Sequence, residues 1–110
     1  MTQTTVADAV CFVQVQPAFA DNYATAQTAP SNIITVTADV TNPTGDSLLL
    51  AALYGEQGQL ITAAIQPCVR GDEVQSITLC FDDDVHSGRL YLLDKTTYKP
   101  LAKDIPIKIQ

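Results

Sequence analysis

Few residues in this chain have the type and spacing to do chemistry, and each such group also has a plainer use. Asp82, Asp83 and Asp84, with His86 close behind, offer the hard oxygen ligands that calcium takes. Consecutive acids do not follow the alternate spacing of a calcium loop, however, and a solvated acidic loop that keeps a strand end from pairing explains them better. Arg70-Gly71-Asp72 is the tripeptide that some integrins read on an exposed loop. Glycine freedom in a turn accounts for it more simply. Cys11, Cys68 and Cys80 are odd in number and lack any paired ligand spacing, so they read as small buried or half-buried apolar side chains. A disulfide or a thiol that forms a dimer is the other use open to them. His86 is the sole histidine, no residue pattern sets a base beside a thiol or hydroxyl, and no phosphate-cradling glycine loop is present. The expectation is a chain that is not an enzyme and has neither cofactor nor metal.

Tyr23, Tyr54, Tyr91 and Tyr98 remain as candidate ligand contacts, with Tyr91 and Tyr98 the pair that stands out. A sugar-binding surface uses aromatic faces, and Tyr91 has Leu90 and Leu92 on the opposite face of its strand, which turns it outward. Tyr98 follows in the next loop. The plainer reading is that Tyr91 covers a sheet and Tyr98 plugs the end of the core.

These residues must be positioned by strands. Residues 32–42 alternate Ile34, Val36, Ala38 and Val40 with Thr35, Thr37, Asp39 and Thr41, a period of two with one wet face. Residues 47–54 are apolar on both faces, as in an interior strand. Further strands are predicted over 9–16, 59–66, 74–81, 89–94 and 105–109, separated by turns at 42–46, 55–58, 68–73, 82–88 and 95–99. Pro106 cannot donate to a ladder and marks an edge or bulge. Residues 1–8 read as a frayed polar end. Residues 18–31 form a long connection that carries a short edge strand, a helical turn or a crossing between sheets. About seven strands and no helix predict an all-β fold, an immunoglobulin-like antiparallel β-sandwich occupying residues 1–110 as one domain.

Composition narrows the function. The 110 residues suffice for one core, and 46% apolar against 16% charged residues favours a globular chain. A net charge of -6 repels a phosphate backbone, and the six Lys and Arg residues form no stripe, so nucleic acid is not an expected partner. The longest apolar runs are too short to cross a bilayer. No basic-then-apolar leader follows Met1, and one removed before this chain begins is equally compatible with the sequence.

Three patterns resemble a known family. They are Ile34-Thr35-Val36-Thr37-Ala38-Asp39-Val40-Thr41-Asn42, then Ala51-Ala52-Leu53-Tyr54-Gly55-Glu56-Gln57-Gly58-Gln59-Leu60, then Leu92-Leu93-Asp94 with Lys99-Pro100-Leu101. Together they resemble the immunoglobulin-like, fibronectin type III-like accessory domains of secreted and cell-wall proteins from anaerobic Gram-positive bacteria. The resemblance spans residues 33–109. The chain departs from the family pattern at Leu93, where Trp is common, and at Gly55, where Asp is common. The resemblance implies a non-catalytic module outside the cell or on its surface that acts as spacer or protein-interaction unit. Its expected partners are the other domains of a larger surface protein, or other proteins. The alternative is a carbohydrate-binding module whose glycan lies against Tyr91 and Tyr98. A third reading is self-association, in which an edge strand or the N-terminal segment pairs with another copy.

Overall fold

The structure, a computed structural model, describes residues 16–109. The strand expected over 9–16 lies outside them but for its last residue, as does the polar end at 1–8. Eight strands are present: β1 (Ala18–Phe19), β2 (Ala24–Ala29), β3 (Ile33–Thr41), β4 (Ser47–Tyr54), β5 (Leu60–Pro67), β6 (Val74–Cys80), β7 (Ser87–Asp94) and β8 (Ile105–Ile109). The described residues contain no helix, and the fold is all-β.

β3 follows its alternation: Ile34, Val36, Ala38 and Val40 are buried while Asp39 and Thr41 are exposed. β6 does the same, with Gln75, Ile77 and Leu79 inside and Ser76, Thr78 and Cys80 outside. The two strands pair antiparallel from Ile33 opposite Cys80 to Asp39 opposite Val74. On the other side of β3 lies the stretch expected as a long connection. It is built of β1 and β2, which run along β3 from Ala18 opposite Thr41 to Ala29 opposite Ile33, interrupted at residues 20–23. A three-residue turn closes this hairpin, with Ser31 and Asn32 both at positive φ, a conformation Asn tolerates better than most residues.

The second set of strands centres on β4, which pairs antiparallel with β5 on one side and with β7 on the other. β8 joins the two sets. Its start pairs with β7, where Pro106 stands opposite Arg89 and Ile105 opposite Leu90. Its remainder pairs with β2, and this pairing is parallel, from Ala24 opposite Ile107 to Ala26 opposite Ile109. The all-β class expected from the sequence holds, but the sheet is mixed instead of wholly antiparallel. Pro106, which has no N–H to offer, stands where the chain changes from one partner to the other.

The hydrogen-bonded path runs β1-β3-β2-β8-β7-β4-β5, with β6 branching from β3. One core fills its inside, with Ala24, Ala26, Ile34, Val36, Ile77 and Leu79 from the first set and Leu49, Ala51, Leu53, Leu90 and Leu92 from the second. The arrangement is sandwich-like, with two sheets sharing one apolar interior. Gly88 marks its tightest point. A β-carbon there would stand 2.9 Å from Leu53 Cδ2, 3.0 Å from Ile107 Cδ1 and 3.1 Å from the Ala52 carbonyl oxygen. The absence of a side chain at Gly88 lets β4, β7 and β8 meet. Gly88→Val should destabilise the fold by about 1–3 kcal/mol, the usual cost of forcing extra carbon into a packed core, read as a lower urea midpoint with an unchanged slope.

Candidate functional site

The two outer faces of the fold differ in kind. On the β2-β3-β6 side, directly opposed residues form polar rows: Gln27, Thr35 and Thr78 in one, Thr25, Thr37 and Ser76 in the next. The Thr35 and Thr78 hydroxyls hydrogen-bond at 3.3 Å, and those of Thr37 and Ser76 at 3.4 Å. This face is built to meet water.

The outer face of β5-β4-β7 is apolar. Its rows are Pro67, Leu48 and Leu93, then Ile65, Leu50 and Tyr91, then Ala63, Ala52 and Arg89. Period two sets these residues on the side away from Leu49, Ala51 and Leu53, which point into the core. Leu48, Ala52 and Leu93 are buried by their neighbours, Leu50 and Tyr91 are half-buried, and Ile65 is 54% exposed. Leu60, 61% exposed, extends the strip at the start of β5. Arg89 is the single charge in the rows, and its Nε–H donates to the Asp104 carboxylate, so the rim toward β8 carries an ion pair instead of a free cation.

Tyr91 turns outward, as its alternation with Leu90 and Leu92 predicts. Its hydroxyl is hydrogen-bonded to that of Tyr54, and this bond, followed by partial burial, pushes the Tyr91 phenol above its ordinary value. Tyr54 lies two rows along the face from Tyr91, and the small Ala52 in the row between leaves room for the two side chains to meet. Tyr98 stands elsewhere, at the tip of the loop that follows β7. It is 61% exposed and does not plug the core. Its N–H donates to the Asp94 carbonyl at 2.8 Å, and its φ of 61° is a left-handed conformation unfavourable to a side chain that bulky. The Asp94 carboxylate organises this loop by accepting the Thr96 and Thr97 N–H groups at 2.8 and 3.0 Å. Those two bonds, Thr97 first, hold its carboxyl below the usual range. Asp104 is held low in the same direction, chiefly by Arg89.

The other sequence candidates take structural places. Arg70-Gly71-Asp72 is an exposed turn with Gly71 at φ 88°. Buried Gln75 clamps it from below: its Oε1 accepts the Val69 N–H at 2.9 Å and its Nε2 donates to the Val69 carbonyl at 3.0 Å and to the Asp72 carbonyl. Asp82, Asp83, Asp84 and His86 are exposed, and among the described residues no group of three or more acidic, His or Cys side chains is arranged to hold a metal. Burial raises the Cys68 thiol, only partly offset by its hydrogen bond to Ser47, which leaves it a poor nucleophile at neutral pH. Cys80 is free and exposed. A groove of about 500 Å³ beside the Arg89 and Asp104 pair is lined by Phe19, Asp21, Asn22 and Lys103, whose charges balance. Among the described residues no helix is long and apolar enough to cross a membrane.

No family model matches the chain, and no curated protein is significantly similar to it. The outer apolar face thus stands on its own geometry. Sequence reasoning singled out Tyr91 on that face and counted Tyr54 among the candidate tyrosines, but passed over Leu50 and Ile65. The signal available was β4 itself, apolar on both faces, together with the absence of charge in β5.

Two measurements test these placements. Asp94 and Asp104 have folded-state values below their unfolded ones, so their stabilisation is present above the ordinary carboxylate range, about pH 4, and is lost as pH falls through the lower folded values. The melting temperature should fall on acidification below about pH 4, less steeply in the Asp94→Asn, Asp104→Asn double variant. Tyr98→Gly should raise stability by on the order of 1 kcal/mol by relieving the left-handed strain, read as a higher urea midpoint.

Proposed function

We propose that this chain is a non-catalytic, immunoglobulin-like module of a secreted or cell-surface protein, and that it serves as a protein-interaction unit and spacer. The observation that carries the reading is the apolar strip on β5-β4-β7. Contiguous apolar surface on an otherwise polar fold marks a docking site more often than a chance cluster does. Leu50 and Ile65 supply aliphatic area, and the Tyr54 and Tyr91 pair supplies rigid aromatic area with a polar tip, the mixture that interface centres favour. The polar threonine rows on the other side give the module a face that stays wet. A place outside the cell is supported by the resemblance of residues 33–109 to accessory domains of surface proteins. The partners this reading names are the neighbouring domains of a larger surface protein, or a separate protein.

The exposure of Tyr98 favours a second reading, a glycan-binding module, because an aromatic ring held out in a strained conformation is a feature that ligand loops use. The two readings separate by substitution. Binding of the chain to purified neighbouring domains from its own reading frame, followed by calorimetry, should weaken at least about tenfold with Ile65→Glu, since the change buries a charge at the interface. Thr35→Glu on the polar face should leave it unchanged. Protein binding indifferent to Ile65→Glu, or glycan-array binding abolished by Tyr98→Ala, would overturn the first reading.

A further inference from the structure

We infer that β5 is an interface strand that pairs antiparallel with β5 of a second copy, about a two-fold axis at Ala63. The inference concerns the backbone edge of β5 and goes beyond the role of the outer face.

Among the described residues three strands pair on one side only: the two-residue β1, β6, and β5 at the far end of the hydrogen-bonded path, so the long free edges are β5 and β6. The edges are not equivalent. Gln66 reaches across the seam between them, and its Nε2 donates to the Ser76 carbonyl on β6 at 2.8 Å, so the β6 edge already has a partner within the chain. Among the described residues β5 is the edge left open, with backbone donors and acceptors on the side away from β4.

β5 carries one of the devices that keep an edge from pairing, a register shift against β4 at Ile61, and beyond it, over Thr62–Gln66, none. It reads Leu-Ile-Thr-Ala-Ala-Ile-Gln-Pro, with no Lys, no charge of either sign, and no Pro before its last residue. This matters for the identity of the partner. Two copies at -6 each repel one another, and an uncharged strip lets identical surfaces meet without like charges opposed. The flanks favour the antiparallel sense. Glu56 precedes the strand and Arg70 follows it, each exposed and each seven residues from Ala63. Antiparallel self-pairing brings Glu56 of each copy toward Arg70 of the other, whereas parallel pairing would set like beside like.

The register follows from Pro67, which has no N–H and ends the useful ladder at Gln66. The midpoint of residues 60–66 is Ala63. Pairing Ala63 with itself sets Ile61, where the register against β4 shifts, opposite the second copy's Ile65, and over Thr62–Gln66 keeps outer-face residues beside outer-face residues, so that the apolar strips of the two copies become continuous. A shift of one residue would set the outer-face Ala63 beside the inward-facing Ala64 of the copy, and larger shifts shorten the ladder. The result is an isologous interface of the kind most homodimers use.

The experiment is light scattering across a concentration series on the full chain, joined to cysteine cross-linking. The chain should shift from one-copy to two-copy mass as concentration rises. Ala63→Lys, a substitution at an exposed position that opposes two ammonium groups at the axis, should weaken association by about fivefold or more. With Cys11 and Cys80 replaced by Ser, Ala63→Cys should form an intermolecular disulfide under mild oxidation, because directly opposed antiparallel residues have Cα atoms about 4.5–5.5 Å apart, within disulfide reach. Gly45→Cys, at an open position outside β5, should not. One-copy mass at the highest soluble concentration overturns the inference. So does a dimer that ignores Ala63→Lys and leaves Ala63→Cys uncross-linked, since that dimer uses another surface.

Discussion

The rest of the structure depends on the ladder between β4 and β7. It runs unbroken from Ser47 opposite Asp94 to Tyr54 opposite Ser87 in one register. That register sends Leu49, Ala51 and Leu53 inward together with Leu90 and Leu92, and sends Leu50 and Tyr91 outward side by side. A slip of one residue would turn every one of these side chains to the wrong face. Gly88 secures the same ladder at its far end, where Leu53 and Ile107 close over it. The core and the outer strip are therefore two consequences of one alignment.

Closure depends on β8. By pairing first with β7 and then with β2, it carries the hydrogen-bonded path from one set of strands to the other, and among the described residues the long edges left are those of β5 and β6. Fewer edges mean fewer unpaired backbone groups to shield. Among the described residues these two edges are handled differently: the Gln66 amide covers part of β6, and β5 pairs with β4 alone. The same asymmetry appears on the faces, where hydroxyl pairs line one and aliphatic and tyrosine side chains line the other.

Much of the framework was legible because alternation is a direct readout of a half-buried strand. β3 and β6 alternate apolar with polar, so their inward residues could be named from the chain alone. β2 could not be read this way. Ala24 and Ala26 are fully buried, but alanine carries too little apolar signal to mark a period, and the strand was left within a long connection. The turn at Ser31 and Asn32 was the available clue. Tyr91 was placed outward correctly by its neighbours in sequence. Its partner Tyr54 was not, because the two are joined by strand pairing across 37 positions rather than by spacing along the chain.

The sequence by itself determined the all-β class, most strand positions, the inward face of each well-patterned strand and the turns at Gly71 and residues 42–46, because these follow from local propensity and period-two burial. Only the tertiary structure decided that β8 runs parallel to β2, that Gln75 clamps the Arg70-Gly71-Asp72 turn, that Tyr98 stands out in solvent, and that Leu50, Ile65 and Tyr91 share one exposed row. Those facts rest on which strand lies beside which, and that choice belongs to the whole core: it minimises exposed apolar area and unpaired backbone over all strands together, a condition no local stretch of chain contains.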